Sequence, residues 1–152
     1  MYILSVIVVI VSVFLLASAG EVGVFGIFHF FDIVSMLIVI IIFISMMVAS
    51  GLLKDFNNAF RLTIGKKNAK SILELKRAKE AVKFAGKLFI MSGFLGTLMG
   101  IIMVGYSCST IKSIMINMSV ALLTMFYGLV LYILLLPIQL RIEIKISEFM
   151  QI

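Results

Sequence analysis

Four long apolar stretches divide this chain, and they constrain its fold more tightly than any other feature. Runs such as Leu37-Ile-Val-Ile-Ile-Ile-Phe-Ile and Leu131-Tyr-Ile-Leu-Leu-Leu contain no charge and no polar/apolar alternation. A helix needs roughly 20 apolar residues to cross about 30 Å of hydrocarbon, and each stretch is close to that length. A barrel strand would alternate with a period of two, and in lipid only a helix satisfies its backbone within one segment. With 63% apolar residues in 152 and a mean hydropathy of +1.27, an all-α integral membrane protein is expected.

The predicted spans are Tyr2–Ala19, Asp32–Leu53, Leu88–Tyr106 and Ile116–Leu136, all within a single membrane domain, residues 1–152. Short extracytoplasmic turns, 20–31 and 107–115, join the spans in pairs. Ala17-Ser18-Ala19 resembles a signal-peptide cleavage site, but no Lys or Arg precedes the first apolar run, so that helix is expected to be retained.

Charge orients the chain. Residues 54–87 carry ten Lys or Arg against three Asp or Glu, a net +7, and the positive-inside bias puts this loop in the cytoplasm. Both termini then fall on the same side, in the cytoplasm. The formal charge of +6 gathers near bilayer ends, where topology and anionic lipid account for it, and no nucleic-acid partner is expected.

The loop reads as a helical hairpin. Phe56, Phe60 and Ile64 recur every four residues, Gly65 interrupts, and Ile72, Leu75, Val82 and Phe89 form a stripe leading into the third span. About 35 residues cannot bury a core of their own, so the loop must pack on neighbours, extend the membrane helices or meet a partner. The tail, 137–152, sets Ile138, Ile142, Ile146 and Phe149 opposite Arg141, Glu143, Lys145 and Glu148, the pattern of a short amphipathic helix at the membrane surface.

The residues offer little chemistry. There is one histidine, no nucleophile–base dyad, no phosphate-binding loop and no carboxylate pair in a span, so neither a catalytic residue, a metal site nor a cofactor is expected. Cys108 has no partner cysteine, His29 between two phenylalanines fits an interfacial aromatic belt, and eleven methionines suit adaptable helix packing. Asp32, with Ser35 three residues on, reads as the N-cap of the second span at the membrane interface, or as a residue of ion passage. Pro137 is a kink or stop at the end of the fourth span, or a hinge.

The third span differs from a plain lipid-facing helix. Gly93, Gly96, Thr97 and Gly100 share a face, leaving a groove with one hydroxyl in it. Gly93-Phe-Leu-Gly-Thr-Leu-Met-Gly, together with Ala121-Leu-Leu-Thr-Met-Phe-Tyr-Gly-Leu-Val-Leu and Pro137, resembles the last two membrane helices of the MotA/TolQ/ExbB proton-channel family. Phe31-Asp-Ile-Val-Ser-Met-Leu-Ile-Val and the count of four spans are closest to its MotA branch, since TolQ and ExbB carry three.

The resemblance implies a ring of several copies, typically five, around a dimeric single-span MotB/TolR/ExbD-type partner that supplies an essential aspartate. The setting is the bacterial inner membrane. Thr97 falls on the family's third-helix pathway threonine, with Thr124 on the fourth helix. Gly93, Gly96, Gly100, Ala121 and Gly128 would let the partner helix come close. The implied activity is ion-driven, proton-coupled work as a stator-type subunit. A TolQ/ExbB-like energiser and a non-conducting tetraspan scaffold remain as alternatives.

Three departures bear on that implication. Met125 stands where the family has a threonine three residues before the glycine matched by Gly128. Ile40-Ile41 replaces glycines common in MotA proteins, and the loop is too short for the flagellar rotor-engaging region. No acidic residue lies mid-span, so a titrating carboxylate must come from another chain.

Overall fold

The computed structural model describes residues 6–8, 11–12, 31–64, 69, 71–107 and 109–150. Most of the predicted first span, with His29, Gly65 and Cys108, lies outside the described residues. Among those described there is no strand; residues 6–8 and 11–12 are helical, and the elements given from end to end are α1 Ile33–Ala49, α2 Leu53–Thr63, α3 Ile72–Ser107 and α4 Ile111–Met150. Two of them, α3 and α4, are each long and apolar enough to cross a membrane, and α1 with α2 adds a third, bent candidate. The chain is therefore a multi-pass membrane protein.

The second span ends earlier than its hydropathy suggests. Leu52 and Leu53 keep the apolar run going, yet α1 stops at Ala49, and α2 departs at 104°. Ser50 closes the last turn through its N–H to the Met46 carbonyl, and Gly51 at φ 69° supplies the left-handed conformation that a side chain resists. Phe43 of α1 stacks on Phe89 of α3 at 4.4 Å and meets Phe56 of α2 edge-on at 5.5 Å, fixing the elbow. Such ring pairs contribute roughly 0.5–1.5 kcal/mol each beyond their buried area.

The basic loop forms a helical hairpin of α2 and the start of α3, as expected, and α3 runs on into the third span, its 36 residues covering about 54 Å without a break. The tail does not lie apart on the membrane surface: α4 continues through Pro137 for 40 residues, about 60 Å. Proline costs that helix one backbone bond, and burial of Leu135, Ile138, Ile142 and Ile146 on either side outweighs it.

These extensions, with α2 laid across them, build a small stalk at the basic end of the molecule. Its core is Ala59 and Leu62 of α2, Leu75, Ala78, Val82 and Ala85 of α3, and Ile138, Ile142 and Ile146 of α4. The loop thus packs on its neighbours and extends the third span, while the tail extends the fourth. Arg141 and Lys145 donate to the carbonyls of Thr63 and Leu62, placing cations on the open C-terminal turn of α2 where the helix dipole favours them. Asn58 donates to Glu74 at 2.7 Å and ties α2 to α3.

Lys79 and Glu143 pair across α3 and α4 at 3.0 Å. The lysine holds the Glu143 carboxyl below its ordinary value of 4.5, first by the hydrogen bond and then by its charge. A depressed carboxylate stabilises the fold above its unfolded pKa and loses that contribution as pH falls through the folded value. Because the pair is solvated, the effect is small. Glu143→Gln is expected to remove this acid-side slope from a melting-temperature profile, with its curve slightly below the parent's above pH 6 and converging with it in acid.

Candidate functional site

The small residues of α3 meet those of α4 in antiparallel register. Gly93 lies against Gly128 and the backbone of Thr124–Met125, Gly96 against Thr124, and Gly100 against Ala121. A Cβ at Gly100 would come within 2.6 Å of the Ala121 Cβ, and one at Gly128 would run into the Phe89 carbonyl. The close approach these residues permit is, within the described chain, that of its own last two helices.

Both candidate threonines are buried in this seam. Thr97, 5% exposed, donates from Oγ1 to the Ala121 carbonyl at 3.0 Å, and Thr124 is 2% exposed with its methyl against Gly96. Within a helix, Ala121 O already faces the N–H four residues on, so Thr97 uses its second lone pair and cross-links the helices. Ser92, one turn nearer the basic end, is also buried and bonds the Phe89 carbonyl at 3.1 Å.

Thr124 and Met125 occupy different environments. One residue is 100° of helix rotation, so with Thr124 turned into the seam, Met125 points outward at 36% exposure. The threonine in the seam is therefore Thr124, and Met125 enters the α3–α4 interface only through its backbone, against Gly93, with its side chain turned away.

A groove of about 830 Å³ opens beside the seam, at the end of the molecule opposite the stalk. Its walls come from α1, α3 and α4 and include Asp32, Ser35, Gly96, Gly100, Asn117 and Thr124. Thr124 reaches this groove, whereas Thr97 is not among the residues lining it.

Asp32 is the N-cap of α1: its carboxylate accepts from the Ser35 N–H at 3.1 Å and from the Ser35 hydroxyl. Its own backbone N–H donates to the Tyr127 hydroxyl at 2.8 Å, which anchors α1 to α4. Sequence reasoning missed Tyr127, although its position three residues after Thr124 puts it on the same flank of α4. It also missed the groove, which depends on how α1 crosses the other two helices.

The chemical capacity of this region is limited and clear. Hydroxyls can donate, accept and order water without changing charge, and Asp32 is the titratable carboxylate on the groove wall. Among the described residues no three His, Cys, Asp or Glu gather as metal ligands. Pro137 lies beyond the seam, half-buried within continuous helix.

A family model described as the MotA/TolQ/ExbB proton channel family matches residues 43–152, which takes in α3, α4 and the whole seam. No curated protein and no solved structure matches the chain.

Proposed function

Because the chain belongs to the MotA/TolQ/ExbB proton channel family, we propose that it is the ring-forming, ion-conducting subunit of a stator-type membrane motor. In this reading several copies, five by the family's habit, surround a single-span MotB/TolR/ExbD-like partner. That partner's aspartate carries the proton through the bilayer. The membrane is the bacterial inner membrane, with the basic stalk and both termini in the cytoplasm.

One observation supports this reading above the others: two buried hydroxyls, Thr97 and Thr124, stand mid-span in a helix pair whose apolar parts, 88–106 and 116–136, carry no carboxylate, and the carboxylate on the groove wall, Asp32, is engaged as the N-cap of α1. A carboxylate in hydrocarbon is costly unless hydrogen-bond donors await it. Donors without an acid suit a protein whose acid arrives on another chain. Thr124, at the groove wall, is the nearer donor to such a carboxylate, and Thr97 stands behind it in the seam.

The short loop favours a second version of the same role. Among the described residues of 54–87, nearly all belong to α2 or the extension of α3 and form no separate domain, as suits a TolQ/ExbB-like energiser that pulls on an envelope partner. Affinity purification from native membrane in mild detergent, followed by mass spectrometry, tests both. The expected result is a co-purifying single-span protein with an Asp near the start of its helix. A periplasmic peptidoglycan-binding domain on it would select the stator, and a small receptor-contacting domain the energiser. A homo-oligomer with no such protein would leave only a scaffold.

A further inference from the structure

The bend after α1 sets α2 at the depth of the lipid headgroups. α2 leaves α1 at 104°, which turns it close to the membrane plane. Near its start, Phe56 meets Phe43 edge-on, and Phe43 stacks on Phe89, which follows Lys87 at the border of the apolar part of α3. At its end, the Thr63 carbonyl accepts from Arg141 at 3.4 Å. Arg141 stands about 7.5 Å of helix past Leu136, where the apolar run of α4 closes. The headgroup layer on each side of the hydrocarbon is about 5–8 Å thick, so both ends of α2 fall at its level.

Ala59, Leu62 and Thr63 turn inward, while Lys54, Asn57 and Arg61 recur at steps of three and four on the exposed side. With Asp55 and Asn58 they line a polar depression of about 390 Å³. Asp55 stands in the first turn of α2, where the helix dipole favours a carboxylate. That leaves two cations to one acid, and among the described residues neither Lys54 nor Arg61 has an ion-pair partner. Asn58 already donates to Glu74, whereas the Asn57 amide has two donors to offer.

Two cations and an amide around a small polar space suit a phosphate. At this depth the phosphate at hand is that of a phospholipid. A zwitterionic headgroup brings its own cation up against Lys54 and Arg61, so a headgroup of net negative charge gains more.

We propose that this depression holds the headgroup phosphate of an anionic phospholipid in the leaflet on the basic side, with Lys54 and Arg61 as its counter-ions and Asn57 as a donor. The bound lipid fixes the depth of α2 and braces the elbow at Gly51. The proposal goes beyond the motor reading and depends on neither ion flow nor a partner chain.

The test uses the absence of tryptophan from the chain: Ile64→Trp places one reporter at an exposed position a turn beyond Arg61. The full chain is reconstituted in phosphatidylcholine vesicles, and quenching by acyl-brominated phosphatidylglycerol is compared with quenching by acyl-brominated phosphatidylcholine. A roughly fivefold preference for phosphatidylglycerol is expected, the equivalent of about 1 kcal/mol for one net cation at the surface. Adding Lys54→Gln and Arg61→Gln should bring the ratio to about one. Adding Lys76→Gln and Arg77→Gln instead removes the same charge from exposed positions on α3 about 15 Å below Lys87, and should leave the preference intact. Equal quenching by the two lipids, no quenching by either, or the same loss from both pairs of substitutions overturns the site. Loss of the preference in excess inorganic phosphate at constant ionic strength would assign the depression to a soluble anion and overturn the lipid. The unaltered chain supplies a second readout: in native mass spectrometry it should retain phosphatidylglycerol over phosphatidylcholine offered at equal concentration, and equal retention overturns the proposal.

Discussion

Gly128→Ala is expected to unseat α4 from α3 and to leave little folded protein in detergent. The added methyl would meet the Phe89 carbonyl, and the Gly93 Cα lies 3.2 Å away on the same side. Both obstacles are backbone, so no rotamer change relieves them and the helices must separate. Overpacking of a flexible site typically costs 1–3 kcal/mol, and a backbone-on-backbone contact belongs at or beyond about 3 kcal/mol. Separation would also break the Thr97 bond to Ala121 and open the burial of Thr124. Gly105→Ala is the matched control: nothing lies within 4 Å of its Cβ, and alanine gains about 0.5–1 kcal/mol of helix propensity there. Thermal size-exclusion profiles of the two variants should diverge strongly, with Gly105→Ala at or above the parent. Coincident melts would mean that α3 and α4 are not seated as described.

Thr97→Val is expected to spare the fold and slow the flow. Valine matches threonine in shape, the seam stays filled, and the Ala121 carbonyl keeps its helical bond, so stability falls by only about 1 kcal/mol. If the hydroxyl steadies a carboxylate or its water during proton transfer, its loss removes a bond to a charged group, worth about 1.5–3 kcal/mol. That converts to a roughly ten- to hundredfold slower flux. Thr97→Ser keeps the donor and should retain most of the parent rate. A purely structural threonine would give the same modest melting shift in Thr97→Val with no change in flux, so the two measurements together separate the roles.

Much of the architecture was legible because bilayer crossing leaves a strong one-dimensional signal. The stripe Leu75, Val82 and Phe89 correctly led from the loop into the third span, and its burial in α3 is continuous. The elbow at Gly51 was not legible by hydropathy, since Leu52 and Leu53 extend the apolar run through the turn. Of the readings of Pro137 as a kink, a stop or a hinge, the stop does not hold for the helix: one missing N–H weighs less than the packing of Ile138, Ile142 and Ile146 on α2 and α3.

The site divides in the same way. A face bearing Gly93, Gly96, Thr97 and Gly100 announces close helix packing but does not name the helix that approaches, and here α4 of the same chain lies against it. The match between Asp32 and Ser35 was readable as a cap because capping is local. Its tie to Tyr127 was not, because 95 residues separate the two and only the crossing of α1 over α4 brings them together. The neighbours Thr124 and Met125 could be told apart only once the rotation of α4 was known.

The most direct test of the central claim is proton flux into vesicles holding the purified complex, followed with an interior pH dye after an acid jump. The account predicts uptake when chain and single-span partner are reconstituted together, and none from the chain alone or with the partner's membrane Asp changed to Asn. Uptake by the chain alone, or none from the intact complex, would contradict it.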